Sequence, residues 1–82
     1  MSYTVYILQS LKNGKRYIGQ TLDIENRLKE HNQGRNKSTK NKGPWKIIYK
    51  EEDFNTQKEA IIRERELKKM KGGVQLKKLL RI

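Results

Sequence analysis

The run YTVYILQSLKNGKRYIGQ, residues 3–20, decides the fold. Its first part, residues 3–10, is rich in β-branched and aromatic side chains, the composition of a strand. Asn13-Gly14 follows, and a two-residue type I′ hairpin turn needs two residues that accept positive φ. Residues 15–20 then return as a second strand. With Asn13-Gly14 as the whole loop, Lys12 faces Lys15, Ser10 faces Tyr17 and Leu8 faces Gly19. Opposed residues share a face, so Tyr6, Leu8, Tyr17 and Gly19 all point the same way. Two tyrosines then share a face with a glycine that leaves space beside them. Ordinary core or sheet packing explains such a face equally well, and a one-residue bulge would undo it.

Working outward, Thr21 can cap a helix that runs to Gly34, with Asp23 and Glu25 in its first turn. Residues 35–44 form a basic loop ending in Gly43-Pro44, and residues 45–51 (WKIIYKE) alternate as a third strand. Thr56 and Glu59 make a capping box that opens a second helix to about Met70. Gly72-Gly73 stops it, and residues 74–81 form a short last helix. The order is ββαβα(α). We expect an α+β fold: a small three-stranded antiparallel sheet flanked by helices, in one domain over residues 1–82.

A domain of 82 residues has a thin core, and hydrophobic residues are only 33% of this chain. Charged residues on apolar stripes are therefore informative. In the first helix Arg27 and His31 fall on the stripe of Ile24 and Leu28, as an i, i+4 pair that can reach one target together. Glu25, Asn26, Lys29 and Glu30 form an ordinary outer face. A half-buried histidine with one hydrogen bond, and an arginine whose stem covers the sheet, are the plain alternatives. In the second helix Glu64 lies amid Ala60, Ile61 and Leu67. A carboxylate there must be paired, protonated or on a metal, and an ion pair with Arg27 is one outcome.

Twenty Lys and Arg against nine Asp and Glu give a net charge of +11. Such charge predicts attraction to a polyanion, most simply nucleic acid. Residues 35–46 carry five basic side chains and no acid, and residues 65–82 carry seven and one. The chain has no Cys and a single His, which excludes a zinc site built from those ligands. No Gly-rich phosphate loop or nucleophile elbow is present. The N-terminus lacks the basic start of a signal peptide, and no stretch is long enough to span a membrane. A cytoplasmic protein is expected.

Tyr17-Ile18-Gly19 matches the YIG of the GIY-YIG endonuclease family, and Thr4-Val5-Tyr6 stands where that family has GIY, with the Tyr identical. The run RLKEHN, with Arg27 and His31, resembles the family's first-helix motif. EAIIREREL resembles its second-helix motif and sets Glu64 at the metal-binding glutamate. The resemblance covers roughly residues 3–71 and looks most like the small stand-alone bacterial members. It implies an endonuclease that hydrolyses phosphodiester bonds, in DNA before RNA, with a place in repair or recombination. It implies one Mg²⁺ or Mn²⁺ ion on Glu64 and catalytic roles for Tyr6, Tyr17, Arg27, His31 and Glu64. Tyr6 would act as base or proton relay, with its pKa lowered by the metal or Arg27; His31 would assist or replace it. Arg27 would stabilise phosphate charge, Tyr17 would position water or phosphate, and Gly19 would give the phosphate room. Arg35, Lys37, Lys40 and Lys42 would hold the substrate. Two features depart from the pattern: Thr4-Val5 replaces Gly-Ile, and no Asn follows Asn55. A non-catalytic nucleic-acid-binding module with the same fold is the alternative.

Overall fold

The computed structural model describes residues 2–34, 42–70 and 78–79. The elements run β1 (Tyr3–Ser10), β2 (Arg16–Thr21), α1 (Ile24–Asn32), β3 (Trp45–Phe54) and α2 (Gln57–Met70). The three strands form an antiparallel sheet in the order β2-β1-β3, so the α+β class and the ββαβα order are as expected. The basic positions Arg35, Lys37 and Lys40, and the Gly72-Gly73 stop, lie outside the described residues. Of the expected last helix only residues 78–79 are described, and they are helical.

β1 is the centre of the molecule because it alone is covered on both faces. Thr4 to Leu8 are all buried. Val5 and Ile7 pack on one face with Ala60 and Leu67 of α2. Tyr6 and Leu8 pack on the other with Trp45, against Ile24 and Leu28 of α1. Each large apolar side chain removed from water in this way contributes about 1.5–3 kcal/mol. The two helices thus cover opposite faces of one sheet, each through its apolar stripe.

The hairpin differs in register from the sequence reading. Tyr6 pairs with Gly19 and Leu8 with Tyr17. The turn takes four residues, Leu11–Gly14, because Ser10 organises it. Its hydroxyl accepts the amides of Lys12 and Asn13 at 3.1 and 3.2 Å, and its own amide donates to Lys15 O. Gly14 takes φ +74°, but Asn13 does not adopt the positive φ that a two-residue turn requires. The shift is two residues, so the side-chain parity survives. Tyr6, Leu8, Tyr17 and Gly19 still share a face, and Gly19 now stands directly across from Tyr6.

Two element boundaries also moved. Asp23, rather than Thr21, caps α1: its carboxylate accepts Asn26 N at 3.1 Å, where the helix dipole favours a negative charge. Thr21 Oγ1 instead accepts the Asp23 amide in the turn that leads to it. β3 runs on to Phe54 because Glu51, Glu52 and Asp53 belong to the strand. A register shift opposite Tyr3–Val5 absorbs one extra residue there, and Asp53 has φ +72°. Thr56 does cap α2, accepting Glu59 N at 3.2 Å.

Candidate active site

Three aromatic rings from three elements meet on the α1 face of the sheet. Tyr6 comes from the centre of β1, Tyr17 from β2 and His31 from the last turn of α1. Tyr6 and His31 are each 1% exposed, and Tyr6 Oη lies 3.1 Å from His31 Nε2. Ring centroids are 4.8 Å apart for Tyr17–His31 and 6.3 Å for Tyr6–Tyr17. Tyr17 is the half-buried member of the trio.

Gly19 is what lets the trio close. A Cβ there would stand 2.7 Å from Tyr6 Oη, 2.9 Å from Tyr6 Cζ and 3.1 Å from Tyr17 Cε1. The space left by the missing side chain is occupied by the end of the Tyr6 ring.

α1 is capped by Asp23 at its start and tied to the sheet at its end. At its C-terminal end, the Asn32 side chain accepts Trp45 N at 2.6 Å and donates to Trp45 O at 3.3 Å. That pair of bonds ties the turn carrying His31 to the start of β3. Nothing in the sequence singles out Asn32 or Ser10, because short polar side chains in turns are common.

The electrostatics favour a protonated phenol and a neutral imidazole. Burial, and then the neighbouring Tyr17, push the Tyr6 hydroxyl far above its ordinary value of 10.0; Arg27 opposes this, while Glu64 and Glu30 add to it. The lowering of Tyr6 expected from Arg27 is therefore outweighed by desolvation. Burial and then Arg27 hold His31 below its ordinary 6.5, with Glu30 opposing. Glu30, which reads in the sequence as a solvated outer position, is half-buried and acts on both groups. Its periodicity gave no sign of that.

Arg27 lies on the half-buried side of α1, and its Nε is buried without a hydrogen-bond partner. Among the described residues it forms no ion pair, so the pairing with Glu64 that the sequence left open does not occur. Glu64 instead pairs with Lys68, one helical turn on, at 3.0 Å, with 18% of its side chain exposed. It stands on α2, and its charge still reaches the Tyr6 hydroxyl. Of the other substrate-binding positions, Lys42 lies where the chain enters β3, and its carbonyl accepts the Ser10 hydroxyl. A hollow of about 470 Å³ opens beside His31, lined also by Lys12, Asn32, Gln33, Gly34 and Gly43.

No group of three or more His, Cys, Asp or Glu side chains gathers among the described residues. A lone, partly exposed carboxylate fits one kind of ion. Mg²⁺ keeps most of its water and binds through one or two carboxylates together with substrate phosphate. Glu64 is the residue that would hold it.

The ring trio, the arginine beside it and the carboxylate on α2 are framed by a three-stranded sheet with the YIG triplet on β2. The chain belongs to the GIY-YIG family: the GIY-YIG catalytic domain matches residues 2–77. It is similar to a UPF0213 protein of Staphylococcus saprophyticus, 39% identical over 74 residues, which are 89% of this chain and 88% of that one. A UPF0213 protein of Clostridium perfringens is 42% identical over 71 residues, 85% of this chain and 73% of that one. The solution NMR structure of the UPF0213 protein BH0048 from Bacillus halodurans is 32% identical, covers 93% of this chain and 92% of that one, and superposes with a TM-score of 0.48. The family is of a nuclease type. No helix among the described residues is long and apolar enough to cross a membrane.

Proposed function

We propose that this chain is a divalent-metal-dependent endonuclease that hydrolyses phosphodiester bonds in DNA, in repair or recombination. The observation that carries the reading is the buried contact between Tyr6 Oη and His31 Nε2 at 3.1 Å. A phenol that burial keeps protonated is a poor base alone. Beside a neutral imidazole it becomes a relay. With the imidazole proton on Nδ1, Nε2 accepts from Tyr6. A water attacking phosphorus gives its proton to the Tyr6 oxygen as the Tyr6 proton passes to His31. No buried phenolate forms, and the charge ends on His31.

The new P–O bond forms as the bond to the bridging oxygen breaks, and that oxygen leaves with the electron pair and takes a proton from solvent. Arg27, with no ion pair among the described residues, offers its guanidinium to the phosphate oxygens, whose planar fork suits them. Tyr17, at the edge of the trio, positions the water or the phosphate. Bound at Glu64, a divalent ion would neutralise phosphate charge and that of the leaving oxygen.

The Glu64–Lys68 ion pair favours a second reading, a nucleic-acid-binding module without catalysis, since it satisfies the carboxylate without an ion. One experiment separates the two. Nicked, branched and single-stranded DNA are incubated with the parent or Glu64→Gln, with and without Mg²⁺ or Mn²⁺. The nuclease reading expects cleavage by the parent only with the ion. It expects none by Glu64→Gln, which should bind as well or better because a negative charge near phosphate is gone. Stability should stay within about 0.5 kcal/mol, because Lys68 is exposed and remains solvated when its partner goes. Cleavage by Glu64→Gln at the parent rate, or none by the parent on any substrate, would overturn it.

A further inference from the structure

The described part of the chain separates its charges along the sheet. All nine acidic residues lie in residues 23–30 and 51–66, while residues 1–22 and 31–50 hold no acid and, among the described residues, six basic side chains. The pairing sets Ser10 against Trp45, and Asn32 is bonded to Trp45. The hairpin turn, the start of β3 and the end of α1 therefore gather at one end of the sheet. Lys12, Lys15, Lys42 and Lys46 stand there. Glu51 to Asp53 and Asp23 stand at the other end.

At the tip of the cationic end is an exposed leucine. Exposed large apolar side chains among the described residues are Leu11, Leu22 and Ile62, and Leu11 is the most open at 59%. A lone exposed leucine is ordinary. The backbone that carries this one is tied down. Its amide donates to Pro44 O at 2.9 Å, Ser10 Oγ gathers the next two amides, and Lys15 N donates to Asn13 Oδ1 at 2.9 Å. A turn whose backbone is already fixed loses less entropy on binding than a flexible one. Beside the tip lies the 470 Å³ hollow that Lys12 and His31 share.

We propose that the hairpin tip is a wedge for duplex DNA. Leu11 enters a base-pair step while the surrounding lysines hold the flanking phosphates, so that a phosphodiester of the distorted strand comes to the hollow beside His31. Aliphatic side chains serve in this way in proteins that kink DNA. Single-strand binders use exposed aromatic platforms instead, and none of the exposed large apolar residues is aromatic. The inference rests on reading the chain as acting on nucleic acid, and it adds that the substrate is a duplex which is bent or already unstacked at a junction.

The test is run in EDTA, so that it is independent of turnover. A short DNA duplex carries 2-aminopurine at successive steps and a donor–acceptor dye pair at its ends. The parent is expected to raise 2-aminopurine fluorescence and shorten the end-to-end distance. Leu11→Ala should lose both and bind duplex roughly tenfold to fiftyfold more weakly, the effect of leaving out three buried carbons. Its single-strand affinity and salt dependence should match the parent's. Leu11→Met, which restores the volume, should recover the fluorescence change. A parent that binds duplex without unstacking it, or fails to bind duplex, would overturn the wedge. So would a Leu11→Ala that unstacks as well as the parent. Cleavage is then read separately with Mg²⁺. Unstacking without cleavage defeats the nuclease reading alone, and cleavage without Leu11-dependent unstacking defeats the wedge alone.

Discussion

Gly19→Ala should disable the site from a position that touches no substrate in the proposed chemistry. The added methyl would stand 2.7 Å from Tyr6 Oη and 2.9 Å from Cζ. Unstrained contacts begin near 3.4 Å, so the tyrosine oxygen must retreat by about 0.7 Å. Tyr6 is 1% exposed and has nowhere open to go. A displacement of that size ends its 3.1 Å contact with His31. Overpacking of this kind costs about 1–3 kcal/mol and the lost hydrogen bond about 0.5–1.5 more, together roughly 1.5–4.5 kcal/mol. Denaturant unfolding measures that loss. NMR reads the cause, because His31 is the chain's single histidine and its titration is unambiguous. In the parent it titrates below 6.5, since burial and Arg27 disfavour the imidazolium. In Gly19→Ala it should move back toward that value as the packing around it opens. Stability within about 0.5 kcal/mol of the parent, together with an unchanged titration, would refute this account of Gly19.

Three further expectations follow from the same contacts. Arg27→Ala should lower single-turnover cleavage by about a hundredfold with little loss of binding, and should raise the His31 pKa, because the guanidinium holds it down; parent-level cleavage would remove Arg27 from the mechanism. Since the folded-state pKa of His31 is depressed, its contribution to stability is complete above 6.5 and is lost as pH falls below it. His31→Asn should flatten that part of the stability profile, and denaturation at stepped pH would show whether it does. Glu51 accepts two bonds from Arg63 at 2.8 Å, and that guanidinium holds its carboxyl below the ordinary 4.5. Glu51→Gln should therefore cost about 1 kcal/mol at neutral pH and nothing in acid, once the parent's carboxylate is also protonated, a difference that urea titrations at two pH values would measure.

The fold was legible because its decisive signals are local. Alternating apolar residues in β1, the Asn13-Gly14 turn and the stripes of α1 and α2 each act within a few residues. The hairpin register was misread because Ser10, an inconspicuous side chain, captures two amides and lengthens the turn. The common face of Tyr6, Tyr17 and Gly19 survived, since a two-residue slip preserves strand parity. Arg27 and His31 were legible as charged or titratable groups on an apolar stripe. The role of Glu30 was not, because helical periodicity says which side a residue faces but not how far its charge reaches. Between the outcomes left open for Glu64, an ion pair within its own helix has a plain local origin. Lys68 is four residues away on the same helix and needs no tertiary contact to reach it, whereas Arg27 belongs to a helix on the opposite face of the sheet.

The direct test of the proposed relay is single-turnover cleavage of DNA with Mg²⁺ by Tyr6→Phe beside the parent. Phenylalanine fills the same buried slot and removes only the hydroxyl that meets His31 Nε2. Binding should be unchanged, and cleavage should fall by about a hundredfold or more, the worth of a positioned proton-transfer group. Cleavage by Tyr6→Phe at the parent rate would contradict the relay.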